Sequence, residues 1–338
     1  MTTRRSSRGL QLGISLAASA LFLWLALRGE DWSEIGAGLR DARYEFLILM
    51  GAVGVYALFV RAQRWKLLLD TATGTPQPLH PIFSACAIGF MANMVLPLRM
   101  GEVIRPYLAS RGTGVPLSTA LATAVVERVL DLLALVAMGL WVLANAEVPD
   151  VVRQLTQLAA VLMVIAVAGI LVVHGQRDRV LPVLDKLWIR LPGSIGETLM
   201  RLEHEFLDGM AVIADPVVFV KATAWSLYIW LLIALGFALG LPAVGIDIDL
   251  LAGGITTATI VALVVSVPGA PGFVGQFEYG CKLALVQIFH VPGALAVGFA
   301  LVTHAAQFAT QVLVGLVYLM REGLSLGELG RIGEEDNS

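Results

Sequence analysis

From Pro97 to Pro106 the chain reads Pro-Leu-Arg-Met-Gly-Glu-Val-Ile-Arg-Pro, which places Arg99, Glu102 and Arg105 between two prolines and between apolar segments. An isolated ionisable group at the centre of a bilayer costs roughly 2.5–3.5 kcal/mol on insertion scales, and backbone broken by Pro and Gly is tolerated at that depth only where protein or a water-filled cavity covers it. The stretch therefore implies a polar, non-helical pocket inside a membrane protein.

Composition supports that class. The chain is 57% hydrophobic and only 14% charged, with a mean hydropathy of +0.80, outside the range of soluble domains. An all-α polytopic membrane protein is expected. The net charge is -3 and the basic residues are scattered, which excludes the basic stripe of a nucleic-acid binder. Cys86 and Cys281 lie far apart in apolar segments without a CxxC partner, so they read as reduced packing residues.

Arg4, Arg5 and Arg8 precede an apolar run from Leu10 to Leu27. The run is long for a signal peptide and lacks a small-residue cleavage site, so it is expected to be an uncleaved helix with its basic flank in the cytoplasm. Further spans are expected at 45–60, 117–143, 157–173, 222–241 and 294–320, with ambiguous apolar blocks at 81–98 and 250–291. Arg61, Arg64 and Lys66, and later Arg177, Arg179, Lys186, Arg190 and Arg201, mark two cytoplasmic segments under the positive-inside rule. The spans at 117–143 and 157–173 already return the chain to the same side, so the block at 81–98 must dip in and return. By the same parity, with Asp247 and Asp249 outside and Arg321 inside, the block at 250–291 enters and leaves from the outer side or crosses twice.

About six full spans plus two opposed re-entrant hairpins are what an inverted repeat leaves in a sequence. Pro97 and Gly101 are the hinge candidates of the first hairpin; Pro268, Gly269, Pro271, Gly272 and Gly275 are those of the second. Each break is followed by an acid, Glu102 or Glu278. The separation from Glu102 to Arg128 equals that from Glu278 to His304. The alternative is that Pro and Gly merely kink ordinary helices.

Glu127, Arg128 and Asp131 sit mid-span at spacings that share a helix face. They suit a charged floor beneath the hairpin cavity, or an internally neutralised network that fixes packing. Arg99 and Arg105, with Arg128, are the candidates for binding phosphate, since a guanidinium fork meets phosphate oxygens in a bidentate way; snorkelling to the interface is the plainer role for the first two. Glu102, Glu127, Asp131 and Glu278 are the candidate cavity and gating acids. Glu102 and Glu278 also suit a coupling proton or cation, or a structural carboxyl.

His204 lacks the second histidine of an HExxH zinc motif and reads as a solvated helix residue. The segment 180–213, with Leu184, Leu187, Trp188, Leu199, Leu202 and Phe206 around Leu191-Pro192-Gly193, suits interfacial amphipathic helices. His304, Gln307 and Gln311 share one side of the last span, where interhelical hydrogen bonding is favoured over a polar track. The segment from Gly323 to Ser338 reads as a frayed polar tail. No phosphate-binding loop, catalytic triad or metal cluster stands out, and no cofactor or metal is expected.

The ordered set Asn93, Pro97, Arg99, Gly101, Glu102, Arg105, then Glu127, Arg128, Asp131, then Pro268-Gly-Ala-Pro271-Gly-Phe-Val-Gly275-Gln-Phe-Glu278 resembles the lysylphosphatidylglycerol synthase transmembrane-region family, also called the flippase-like domain family. The resemblance runs from about Gly9 to Arg321. It implies a bacterial inner-membrane protein, with both termini cytoplasmic, that moves lipids between leaflets; some members are linked to hopanoid or isoprenoid lipids. It also implies a stand-alone member: one transmembrane domain over 1–322, a cytoplasmic amphipathic segment at about 175–217, a tail at 323–338, and no aminoacyl-transferase domain. The expected partners are membrane lipids with an anionic or phosphate-bearing headgroup, and a second copy or a lipid-synthesis protein. The rival expectations are a membrane-embedded lipid-modifying transferase with Glu102 or Asp131 as general base, and a non-catalytic scaffold of a lipid-synthesis complex.

Overall fold

The computed structural model of the chain describes residues 17–176, 194–267 and 269–335, with Gly13, Leu181 and Trp188. Arg4, Arg5, Arg8, Arg177, Arg179, Lys186, Arg190, the turn Leu191-Pro192-Gly193, Leu184, Leu187 and the hinge candidate Pro268 lie outside the described residues. All regular structure among the described residues is helical. Four helices are long and apolar enough to cross a membrane: α3 (Tyr44–Thr73), α7 (Asp150–Gly175), α9 (Pro216–Ala243) and α12 (Gly293–Arg321). The long α6 (Leu117–Asn145) joins them. The first expected span is described as the apolar helix α1, Ala17–Leu27, and α2 (Trp32–Arg40) follows it.

The two ambiguous blocks form helical hairpins. Helices α4 (Leu79–Val95) and α5 (Gly101–Thr113) make the first, and α10 (Leu250–Val265) and α11 (Gln276–Gln287) the second. Their lengths of 17, 13, 16 and 12 residues correspond at 1.5 Å per residue to about 18–25 Å, short of the roughly 30 Å hydrocarbon core. The sequence pattern places the whole of Pro97–Pro106 outside a helix; the structure confines the break to residues 96–100. A proline has no N–H to continue the α4 ladder and keeps the preceding residue extended, so α4 stops at Val95. Helix α5 then begins at Gly101 and runs through Pro106.

Two copies of one unit are now visible: a long helix, two short hairpin helices and a second long helix. The lengths are 30, 17, 13 and 29 residues for α3–α6 and 28, 16, 12 and 29 for α9–α12. Helices α3 and α9 pack on each other antiparallel: Arg43 N–H donates to Ala243 O at 2.7 Å, while farther along Tyr56 meets Tyr228 and Arg64 meets Ser226. Each hairpin packs its first helix on the closing helix of the other unit, α4 on α12 and α10 on α6. That exchange is the pattern of an inverted repeat, with the units running in opposite directions.

The tips of the hairpins meet in the middle of the bundle. Each is a proline followed by two left-handed residues: Leu98 and Arg99 (φ 57° and 53°) after Pro97, and Gly272 and Phe273 (φ 67° and 60°) after Pro271. Close approach of the hairpin arms depends on glycine: a Cβ at Gly101 would collide with the Gly89 carbonyl and the Asn93 side chain.

Two sequence expectations need correction. Arg61 and Arg64 are not in a cytoplasmic loop. Helix α3 continues to Thr73, and both arginines project from its middle into the bundle, Arg64 fully buried. The tail after Gly323 is not frayed either, because Leu326–Glu335 forms α13. Ser325 caps it, with Glu328 Oε2 accepting from the Ser325 N–H at 2.7 Å, and Leu329 is buried in the main core beside α5. Helix α8 (Ser194–Ala211) is amphipathic and lies along α6.

Candidate functional site

A charged network holds α3, α5, α6 and α9 together. Arg64 of α3 donates from Nη2 to Glu127 Oε1 at 2.9 Å and from Nη1 to Asp131 Oδ1 at 2.5 Å and Ser226 Oγ at 2.7 Å. Arg105 of α5 brings Nη2 within 2.7 Å of Glu127 Oε2, an ion-pair contact without hydrogen-bond alignment. Its guanidinium lies over the ring of Trp65, 4.6 Å from the centroid. Arg64, Arg105 and Glu127 are buried and ion-paired with one another. None of the three lines the cavity beside them, whereas Arg128 and Asp131, read in the sequence with Glu127 as a charged floor or a self-neutralised network, both do.

That cavity, about 430 Å³, lies between the hairpin tips and the long helices. Its lining combines polar residues, among them Arg61, Asn93, Arg99, Glu102, Arg128 and Asp131, with apolar ones, among them Leu132, Leu135, Ile233, Phe237 and Val261. Asp131 Oδ2 lies 3.3 Å from Arg128 Nη2 and 3.7 Å from Arg61 Nη1. Glu102 Oε1 accepts from Asn93 Nδ2 at 3.3 Å across the first tip and lies 3.8 Å from Arg128 Nη1. The side chains of Arg128 and Glu102 remain 43% and 38% exposed, so this pair is loose and open to a ligand. Arg99 sits over the Phe273 ring at 5.1 Å and donates to the Val265 carbonyl, bridging one tip to the other without a carboxylate partner among the described ion pairs.

The second tip is closed. Glu278 accepts the Gly275 N–H on Oε2 at 2.6 Å, capping α11, and its Oε1 lies 2.6 Å from His304 Nδ1. The other ring nitrogen of His304 is 2.7 Å from the Gly272 carbonyl. Phe277 stacks on the imidazole, centroids 4.3 Å apart. Gln276 Nε2 donates to the carbonyls of Val264 (3.2 Å) and Val267 (2.7 Å), pinning α11 to the end of α10.

The expected residues therefore divide. Arg99, Glu102, Arg128 and Asp131 come together at the cavity; Arg105 and Glu127 lie behind it; Glu278 stands at the second tip, reaching the cavity through His304. Pro97, Gly101, Pro271, Gly272 and Gly275 build the tips, and Gly269 abuts the Gln276 side chain. The equal separations noted in the sequence are contacts: Glu102 meets Arg128, and Glu278 meets His304. Sequence reasoning missed Arg61 and Arg64, although their spacing on an apolar stretch that continues to Leu69 was a usable sign. Gln307 and Gln311, expected in interhelical hydrogen bonds, line the cavity instead, and Gln311 Oε1 is buried without a hydrogen-bond partner. Cys86 and Cys281 are free and buried.

Long apolar helices, two hairpins of short apolar helices meeting tip to tip, and an arginine-lined cavity between them define a multi-pass membrane protein. Residues 11–315 match the family described as lysylphosphatidylglycerol synthase TM region. The chain belongs to that family. It is also similar to a curated protein named glycosyltransferase AglD from Haloferax volcanii, 24% identical over 352 residues that cover 95% of this chain and 56% of the relative. The chain thus spans little more than half the length of that relative. No solved structure matches.

Proposed function

We propose that the protein moves a lipid with a phosphate-bearing headgroup, a phospholipid or an isoprenoid-type lipid, between the leaflets of the bacterial inner membrane. The observation that carries this reading is the charge balance at the cavity. Among the residues that line it Arg61, Arg99 and Arg128 stand against Glu102 and Asp131, leaving one guanidinium charge in excess, and behind them Arg64 and Arg105 against Glu127 leave a second. An excess of fixed, fork-shaped cations within a low-dielectric wall recruits phosphate oxygens.

Arg99 and Arg128 hold the headgroup in this mechanism, with Arg61 behind them; Arg105 supports the site through Glu127. Glu102 and Asp131 orient the guanidiniums, and Glu102 releases Arg128 when phosphate arrives. The cavity volume suits a headgroup, and its apolar lining lets the acyl chains stay in lipid. Alternating access runs through the two tips, whose Pro and Gly residues absorb the backbone change. Residues 1–322 act as one transmembrane domain, with the amphipathic segment and both termini in the cytoplasm.

Exchange of labelled anionic, zwitterionic and isoprenoid lipids between the leaflets of proteoliposomes tests the reading. Selective exchange that falls at least about tenfold in Arg99→Ala and Arg128→Ala, with melting behaviour retained, is the expected result. Unchanged exchange in both variants overturns it.

A second reading, a transferase acting on a lipid carrier, draws on the printed name of the Haloferax volcanii relative. There Glu102 is the better general base, since Asp131 is occupied by Arg61, Arg64 and Arg128. Donor-dependent conversion of the lipid, in place of exchange, would mark that function.

A further inference from the structure

The geometry points to a proton-binding site at the second hairpin tip: Glu278 and His304 share one proton, and its uptake and release are linked to the anionic headgroup in the cavity. This inference rests on the lipid-transport reading above.

Hydrogen-bond roles fix the proton count. A carbonyl oxygen only accepts, so His304 Nε2, 2.7 Å from Gly272 O, carries a hydrogen. Between Nδ1 and Glu278 Oε1, 2.6 Å apart, there must be one hydrogen as well. Oε2 is already taken as acceptor by the Gly275 N–H. The pair is therefore imidazolium with carboxylate or imidazole with carboxylic acid, and both are neutral overall. Removing the shared proton sets the Nδ1 lone pair against a carboxylate lone pair and leaves one negative charge. That clash is relieved either by the ring turning or by its remaining hydrogen moving from Nε2 to Nδ1, and both withdraw Nε2–H from the Gly272 carbonyl, within the turn whose next residue, Phe273, supports Arg99. The proton state thus reaches the place where the two tips touch.

The charged groups around this pair are either committed elsewhere or stand across the cavity. Cys281 lies one turn along α11, and Lys282 is committed to Glu30 and to the carbonyls of Ala26 and Arg28. Helix α10 has no ionisable side chain. Helix α1 presents Ser19 to the tip and α4 presents Asn93 to the cavity. On α9, Tyr228 is turned to Tyr56, and α2 lies against the start of α12. Across the cavity stand Arg61 of α3, Arg99, Glu102 of α5, and Arg128 and Asp131 of α6. His304 itself lines the cavity, followed on α12 by Gln307 and Gln311, a polar path for the proton. In the first unit the equivalent partner is Arg128, which does not release a proton at physiological pH; the second unit has a titratable ring there.

A bound phosphate favours the neutral pair over the negative one, and linkage makes the converse hold: the proton tightens the anion. Exchange of an anionic lipid should fall as pH rises through release of the shared proton.

Glu278→Gln is the decisive variant, because the amide N–H donates to Nδ1 while its oxygen accepts from Gly275, fixing the protonated arrangement. In proteoliposomes holding labelled phosphatidylglycerol, wild-type exchange should drop about tenfold or more between about pH 5.5 and about pH 8.5, whereas the variant should be flat across that range. A pH dye in a weakly buffered lumen should report proton movement with wild type only. A flat wild-type profile, or a variant that keeps the wild-type profile, overturns the proton site and leaves lipid transport standing. Absence of exchange in wild type at every pH overturns the transport reading itself. Nitrogen magnetic resonance of isotope-labelled histidine in the full chain, with His304→Asn for assignment, tests the site without any transport. A protonated Nε2 at low pH, with its hydrogen or its hydrogen bond lost on raising pH, supports it; an Nε2 unprotonated at low pH, or a ring unchanged across the range, overturns it.

Discussion

The tip of the first hairpin runs Pro97-Leu98-Arg99 and that of the second Pro271-Gly272-Phe273, and both turn through two left-handed residues. Beyond that backbone path they diverge. The first places Arg99, Glu102 and Arg128 in the open cavity and is anchored from behind by the buried Arg105–Glu127 contact. The second buries Glu278 against His304 and is anchored by neutral hydrogen bonds from Gln276 and the imidazole. One framework thus carries a charged, ligand-accessible end and a closed, hydrogen-bonded end. Repetition fixes the geometry of the hinge, and the side chains on it decide what each hinge senses.

The anchors are where the comparison breaks most visibly. Glu127→Ala leaves Arg105 without a carboxylate and Arg64 with one fewer, and removing one partner of a buried ion pair costs about 3–5 kcal/mol. A large drop in melting temperature, or loss of monodisperse protein, is the expected readout. At the second tip Gln276→Ala frees only neutral carbonyls and should cost about 1–3 kcal/mol.

The two matched pairs should respond in opposite senses. His304→Ala strands the buried Glu278 and the Gly272 carbonyl, for a loss of about 1–3 kcal/mol. Arg128→Ala removes a half-exposed pair with Glu102 and one of three cations around Asp131, which keeps Arg64 and Arg61, so its stability change should stay within about 1 kcal/mol while lipid exchange collapses. Equal destabilisation by the two substitutions would mean that the tips are mechanically alike. Parallel melting and exchange assays decide.

The smallest effect concerns the turns themselves. Leu98 holds a left-handed φ that costs a side-chain-bearing residue about 1–2 kcal/mol, so Leu98→Gly should raise thermal stability slightly. Gly272→Ala, at φ 67° with the Met94 carbonyl 3.2 Å from the added carbon, should lower it by about the same amount.

Much of this contrast was legible in the sequence. Pro and Gly punctuate both hairpins, acids follow both breaks, and the paired residues recur at equal separation. Parity of the spans points to a first block that turns back, although it takes Arg61 and Arg64 for loop residues, and the block does form a helical hairpin. What hid the rest was distance and context. Arg61 and Arg64 close an apolar window, so they read as the end of a helix; their partners lie far along the chain, Glu127 63 residues from Arg64. Arg105 looked as available as Arg99, because nothing local shows that Glu127 and Trp65 enclose it. The exchange of α4 and α10 between units is a packing fact with little direct identity behind it. The capped α13 is different, since Ser325 and Glu328 are a capping box that was there to be read.

The buried charges also bear on how the chain is made. Synthesis delivers α3 with Arg64 before α6 with Glu127 and Asp131, and α9 with Ser226 later still. Released alone into lipid, α3 would carry two uncompensated cations and α6 a surplus of acid, each costly in hydrocarbon. Inserted together they pair, Arg64 with Glu127 and Asp131. Insertion of α3 is thus energetically linked to that of α6, which brings the acids its arginines need.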